Sequence, residues 1–376
     1  MNLVDPITTA YHIYAHAFEA WSLGESYRAM ESIIFVLLTF ATMHGTKKAS
    51  MLASWRRGLA GASEELPSRT RAWLDACNAA IDGILGGSES LVDRLEKVER
   101  FYLGETERDP MQLIFVRSAR LEALRTSGRI AALVAYDDSL LREARRRNDR
   151  LLEAFAVKSG SIAWLARDDA EGGRLALDKP LWSIENAGFQ IHHLYELRAR
   201  LELALYEDDR TDLWRRFRRR FLEARLSMMS LLAVFKLEMG FAEARARLAD
   251  ANAPRSRRAV AKKVRAIARS MADHGNPEHR VKVALVEASA AELEGDMEAA
   301  VARLEEAIAQ ATETRQRLEV AAAQMKRAAL TLYPEHQREA EEASARLRRD
   351  GVVAPEKLMR VLLPTHERVA ITRARG

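Results

Sequence analysis

Cysteine is almost absent from this chain. Cys77 is the only one in 376 residues, which excludes an internal disulfide and any zinc site built on cysteine pairs. Its setting in Ala72-Trp73-Leu74-Asp75-Ala76-Cys77 is that of a small core residue. Long apolar runs are missing too. The longest, Ile33 to Phe40 and on to Met43, falls short of the roughly 18 residues a membrane span needs and predicts a buried helix. Between Met1 and Tyr27 there is no Lys or Arg, so the basic region that opens a secretory signal is lacking. These absences lead us to expect a cytoplasmic protein with no membrane partner. Strong charge of one sign is also lacking: 59 basic against 54 acidic residues give a formal charge of +5, a mildly basic surface and not a nucleic-acid tail.

Catalytic signatures are absent as well. The sequence has no Gly-x-x-x-x-Gly-Lys-Ser/Thr loop, no kinase glycine-rich loop, His-Arg-Asp or Asp-Phe-Gly element, no Gly-x-Ser-x-Gly elbow and no His-Glu-x-x-His. No catalytic, cofactor-binding or metal-ligating residue is therefore assigned. The expectation is a non-enzyme without a cofactor.

What is present is helix punctuation. The nine prolines, Pro6, Pro67, Pro110, Pro180, Pro254, Pro277, Pro334, Pro355 and Pro364, sit where a helix could begin or has just ended. Proline at the first helical position gives up only an N–H that had no partner, and Asp5, Asp109 or Asn276 just before it can cap the first turn. Val281-Lys282-Val283-Ala284-Leu285-Val286 is the best candidate strand, but it runs straight into Glu287-Ala288-Ser289-Ala290, so helix is expected throughout.

A small residue closing one helix and an alanine-rich helix opening directly after it recur along the chain. Gly295-Asp296 leads into Ala300, Leu304 and Ala307, which share one helical face; Gly24 precedes Ala29, and Gly128 precedes Ile130-Ala131-Ala132. Gly24, Ala29, Gly128, Gly295, Ala300, Leu304 and Ala307 are the candidate repeat-packing residues. These segments resemble tetratricopeptide repeats, helix–turn–helix units of about 34 residues, although Trp-x-x-Leu-Gly-x-x-Tyr is complete nowhere. The resemblance implies an all-α fold, a right-handed α-solenoid of degenerate hairpins forming one domain over 1–364. About eight helix pairs are drafted at 7–44, 49–86, 110–147, 149–178, 182–223, 228–273, 277–313 and 314–350. The N-terminal half is 1–180 and the C-terminal half 181–350; residues 334–364 form a cap, and 365–376 are expected to be a disordered tail. The stretch 45–107 resists phasing.

The order from Leu203-Ala204-Leu205-Tyr206 through Leu213-Trp214-Arg215-Arg216-Phe217 and the Gly295 hairpin to Pro355-Glu356-Lys357-Leu358-Met359-Arg360-Val361-Leu362-Leu363-Pro364 carries a more particular likeness. It resembles the C-terminal region of bacterial eukaryotic-like serine/threonine kinases that carry a P-loop ATPase segment, and is similar to the repeat superhelices of STAND-type signalling ATPases. The likeness covers roughly 185–364. It implies the non-catalytic sensor or scaffold part of a signalling system.

Several constellations remain. His12 and His16 lie one turn apart, but no third ligand is near, and the flanking Tyr11 and Tyr14 point to ordinary packing of the first helix. His192 and His193, being adjacent, should diverge around their helix. Trp214, Phe217 and Phe221 share a face and are expected in the core. Arg258, Lys262, Arg265 and Arg269 track one side of a helix whose other side carries Val260, Val264, Ile267 and Met271; the ordinary reading is a solvated face, and the functional one an interaction stripe. The favoured function is a protein-interaction scaffold or regulatory repeat region whose concave surface binds a peptide or partner domain, including a kinase or ATPase of the same system. A superhelix sensing a small effector and a nucleic-acid scaffold using the basic stripe are the alternatives, nucleic acid being the least favoured partner.

Overall fold

A computed structural model describes residues 6–61, 65–105, 109–180, 188–251, 254–272, 276–331 and 333–364. Asp5 and the expected tail at 365–376 lie outside the described residues. Among those described there is no strand. The helices are α1 (Pro6–Ser22), α2 (Ser26–His44), α3 (Ala49–Ala60), α4 (Ser68–Leu85), α5 (Ser88–Gly104), α6 (Pro110–Thr126), α7 (Ile130–Arg147), α8 (Arg150–Ser159), α9 (Ser161–Ala166) and α10 (Ala170–Asp178). They continue with α11 (Ile191–Tyr206), α12 (Leu213–Leu226), α13 (Ala233–Ala249), α14 (Pro254–Ala272), α15 (Pro277–Glu294), α16 (Met297–Glu313), α17 (Arg317–Thr331), α18 (Pro334–Arg349) and α19 (Pro355–Leu362). Short 3-10 turns occupy Gly45–Lys48 and Met228–Leu231.

The ends of these helices follow from their end residues. Pro6, Pro110, Pro254, Pro277, Pro334 and Pro355 each open a helix. Asp109 Oδ1 accepts from Met111 N at 2.8 Å and Asn276 Oδ1 from Glu278 N at 2.8 Å, satisfying donors that the first turn leaves free. Asp149, Asp169 and Asp296 cap α8, α10 and α16 in the same way. Val281 to Val286 is the middle of α15. The drafted pair at 149–178 is three helices, because Gly160 interrupts α8 and α9. Within 45–107, α5 lies between two of the expected helix pairs, 49–86 and 110–147.

Helices adjacent in sequence pack on one another along most of the chain: α1 on α2, α4 on α5, α5 on α6, then α12 through α18 in unbroken succession. The apolar α2, with the helix that continues it to Ala60, is long and apolar enough to span a bilayer. Yet Ile34, Leu37, Leu38 and Ala41 are buried, and α2 packs on α4 and α13, as a core helix does.

A second set of contacts joins residues about 190 positions apart. Asn276 Nδ2 donates to Ile84 O at 2.5 Å across 192 residues, and Lys357 Nζ reaches Asp168 Oδ1 at 2.9 Å across 189. Between them, Arg317 N approaches Ser127 O, and Val353 N donates to Ala166 O at 2.8 Å. At these crossings backbone meets backbone. Gly128, at φ +66°, lies so close to α17 that a Cβ there would sit 2.8 Å from Leu318 N, and one on Gly86 would sit 2.9 Å from the Pro277 ring. The early helices and the late helices thus lie side by side in a fixed register.

Candidate functional site

The space between the two sets of helices is filled by charge. Glu202 of α11 is fully buried and accepts from Arg125 of α6 and, at 2.6 Å, from Ser161 Oγ of α9; Arg245 of α13 stands 3.6 Å away. One turn back on α11, Arg198 grips Glu122 with two bonds of 3.0 and 2.5 Å and lies 3.8 Å from Glu238, which in turn holds Lys282 of α15. Burial works against the charge of Glu202, but Arg125, Arg245 and Arg198 outweigh it and keep its pKa below the usual carboxylate range. The same balance, with Lys282 and Arg198 as the cations, depresses Glu238. Burial lowers Arg245 to about 10 despite Glu202, and raises the carboxyl of Glu319 on α17 to about 7. Arg245 also donates to Val361 O of α19 at 2.9 Å. The cavity left among these groups is about 30 Å³, on the scale of a single water, so no peptide can enter.

The large opening lies outside this interior, between α12, α13 and α14. It is a groove of about 750 Å³ whose apolar floor is Phe235, Met239, Ile267 and Met271. Gly240 makes it possible for the helices to close beneath it, since a Cβ there would come within 2.9 Å of Met271 Cγ. Arg225, Lys236, Arg247 and Lys263 line the groove against a single carboxylate, Glu243. Glu243 is buried and already shared, accepting from Arg225 and, at 2.8 Å, from Arg247 Nε. The Arg247 guanidinium carbon also lies 3.5 Å from the Trp214 ring centroid, which fixes it over the aromatic face. Lys236 and Lys263 are exposed and make no ion pair among the described residues. The groove therefore carries net positive charge over an apolar floor.

No protein-family model matches this chain, and no curated protein matches it.

The residues singled out from sequence take the following places. Arg258, Lys262, Arg265 and Arg269 share a face of α14, but Lys263, Ala266, Ile267, Ser270 and Met271 are the ones that line the groove. Arg265 is tied to Glu294 at 2.6 Å, while Arg258, Lys262 and Arg269 are exposed. Ala29, Ala300, Leu304 and Ala307 are fully buried. Gly24, Gly128 and Gly295 all have positive φ. Phe217 and Phe221 are buried, and Trp214 stacks on Phe221 at 5.5 Å between ring centroids.

Two expectations need correction. Tyr11 and Tyr14 do not pack: both are exposed, because α2 covers the opposite side of α1 through Ile13 and Ala20. His192 and His193 do not diverge; their rings approach to 3.9 Å because His193 turns back so that its Nδ1 can accept from Gln190 N at the start of α11. His12 and His16 stay apart from other ligands, and His16 Nδ1 lies 2.8 Å from Ser32 Oγ. Among the described residues no group of three His, Cys, Asp or Glu side chains is placed to hold a metal. Lys236 carried no sequence signal, and Lys263, one of seven basic residues between Pro254 and Ala272, was not expected to line a groove. Gly240 was the available signal, since a glycine in the middle of an otherwise strong helix marks close approach of a neighbour.

Proposed function

We propose that this chain is a non-catalytic interaction module, a right-handed superhelix of degenerate tetratricopeptide-like hairpins from a bacterial signalling system, and that its groove between α12, α13 and α14 holds a segment of a partner protein. The consecutive packing of hairpins supports the superhelix, and contacts recurring at about 190 residues fit one superhelical turn resting on the next. The single observation that carries the binding reading is the groove itself: an apolar floor bounded by four cations and one carboxylate that is already taken. Such a surface suits an amphipathic segment with acidic flanks, laid down by its apolar side chains and oriented by charge. From Phe235 to Arg247 the α13 wall runs for about 18 Å, enough for roughly three helical turns. An associated kinase or ATPase is the kind of protein that would supply the segment.

The experiment is a titration of the full chain with a labelled synthetic peptide of about four turns, Leu at helical spacing and Glu elsewhere, beside a matched Lys peptide. The acidic peptide should bind, more weakly as salt is added, and the Lys236→Glu, Lys263→Glu double variant should lose that binding. Equal binding of the Lys peptide, or no response to the double variant, would sink the groove as the site.

A further inference from the structure

The first helix presents an aromatic stripe that no other described residue covers. Tyr11, Tyr14, Phe18 and Trp21 are 69%, 58%, 78% and 68% exposed, and steps of three, four and three residues place them along one face of α1. The opposite face, through Ile13 and Ala20, is the one that packs on α2. At roughly 200 Å² for each aromatic side chain, the exposed fractions leave about 550 Å² of aromatic surface on a single helix face. That lies at the upper end of the range for the largest apolar patch on an ordinary monomer, a patch that often serves a function.

We propose that this stripe joins two copies of the chain, α1 lying antiparallel to α1 of the partner about a two-fold axis near His16. Three features of α1 select a second copy as the occupant. The spacing three, four, three reads the same from either end, so an antiparallel pairing sets Tyr11 against Trp21 and Tyr14 against Phe18, and each contact occurs twice, as two-fold symmetry requires. It is also the a/d spacing of helices that pack side by side, knob into hole. Charge does not oppose the pairing, since Glu19 is the only Asp, Glu, Lys or Arg in α1. The area suffices: two stripes laid together would cover about 1,100 Å², above the roughly 1,000 Å² that a specific interface needs. This proposal is independent of what occupies the groove.

The test is the mass of the intact chain by sedimentation equilibrium. Wild type should form a dimer of the 42.3 kDa chain at tens of micromolar. Tyr14→Glu with Phe18→Glu should be monomeric, and so should Tyr14→Lys with Phe18→Lys. Both keep their helical circular dichroism, because the substituted side chains are exposed. Mixing the two variants should restore a dimer, since antiparallel pairing sets position 14 against position 18. A monomeric wild type overturns the proposal, as does a dimer that survives both substitutions, or a mixture that stays monomeric. Should the monomeric chain co-sediment with phosphatidylcholine–phosphatidylglycerol vesicles and lose that with Phe18→Glu, the stripe belongs to a lipid surface and the proposal fails equally.

Discussion

Asp137 offers the sharpest physical test of the fold. It lies on α7, fully buried, and neither carboxylate oxygen has a hydrogen-bond partner. Gly160, at the break between α8 and α9, packs directly on it, and a methyl group there would overlap Asp137 Oδ1. Burial pushes its pKa up to about 8; Arg167 opposes this only in part, being bonded to Asp138 at 2.6 Å. At neutral pH the group is therefore mostly the uncharged acid. Its pKa is raised from 3.8, so the folded chain holds a proton that the unfolded chain has lost. The associated stability is fully present below about pH 4, declines as pH rises, and is gone above about pH 8. A shift of about four units corresponds at most to about 5 kcal/mol, and relaxation around the charged form brings the expected value nearer 3 kcal/mol. Asp137→Asn keeps the shape without the charge. The stability of the variant relative to wild type should therefore grow by about 3 to 5 kcal/mol between pH 4 and pH 9. With unfolding entropy of about 2.1 cal/mol/K per residue, a chain unfolding as one unit would show this as a relative Tm gain of about 4–6 °C. Scanning calorimetry of both proteins across that pH range is the assay. Parallel Tm curves would refute the argument, since they would mean that Asp137 is ionised or solvated in the folded chain.

Glu202→Ala should lower stability by about 3–5 kcal/mol in urea denaturation, because Arg125 and Arg245 would face each other in the interior without a counter-charge; a loss below about 1 kcal/mol would mean the interior is wet. Ending the chain at Tyr333 removes α18 and α19, with Leu358, Val361, Leu362 and Leu363 that are now buried, so Tm should fall and aggregation rise while the soluble fraction still binds the acidic peptide. A truncated chain that stays stable and soluble but no longer binds would make the tail the binding element.

Helix positions were legible where a local rule decides them. Proline at the first position with Asp109 or Asn276 before it fixed the starts of α6 and α15. The valine-rich stretch Val281–Val286 is helical because the alanine-rich segment after it outweighs local strand preference. In 45–107 the grammar failed, since α4 follows Pro67 with no side-chain cap bond and Gly86-Gly87 reads as a loop without announcing α5. The spacing of Tyr11, Tyr14, Phe18 and Trp21 was visible too. Which way it faced was not, because that depends on the side α2 covers. The groove was least legible: its floor is assembled from α13 and α14, each half-apolar alone, and only Gly240 hinted at their approach.

Binding was expected on the inner face of a repeat stack, but the buried space among α6, α11, α13 and α17 is filled by paired charges and leaves only about 30 Å³. Arg125 of α6 and Ser161 of α9 meet Glu202 of α11, Lys282 of α15 meets Glu238 of α13, and Arg245 of α13 reaches Val361 of α19, so charges from well-separated stretches of the chain converge in the interior. Buried ion pairs of this kind add little net stability, because desolvation offsets their attraction; what they penalise is any shift in register that would strand one partner. A filled interior fixes one arrangement, so a partner of the kind we propose would have to bind on the outside. The two open apolar surfaces, the groove and the α1 stripe, are linked there through Met228–Leu231: α1 touches this turn, while Ser230 and Leu231 line the groove. If both proposals hold, pairing through α1 and occupancy of the groove would meet at this turn, and any coupling between them would be reciprocal in free energy.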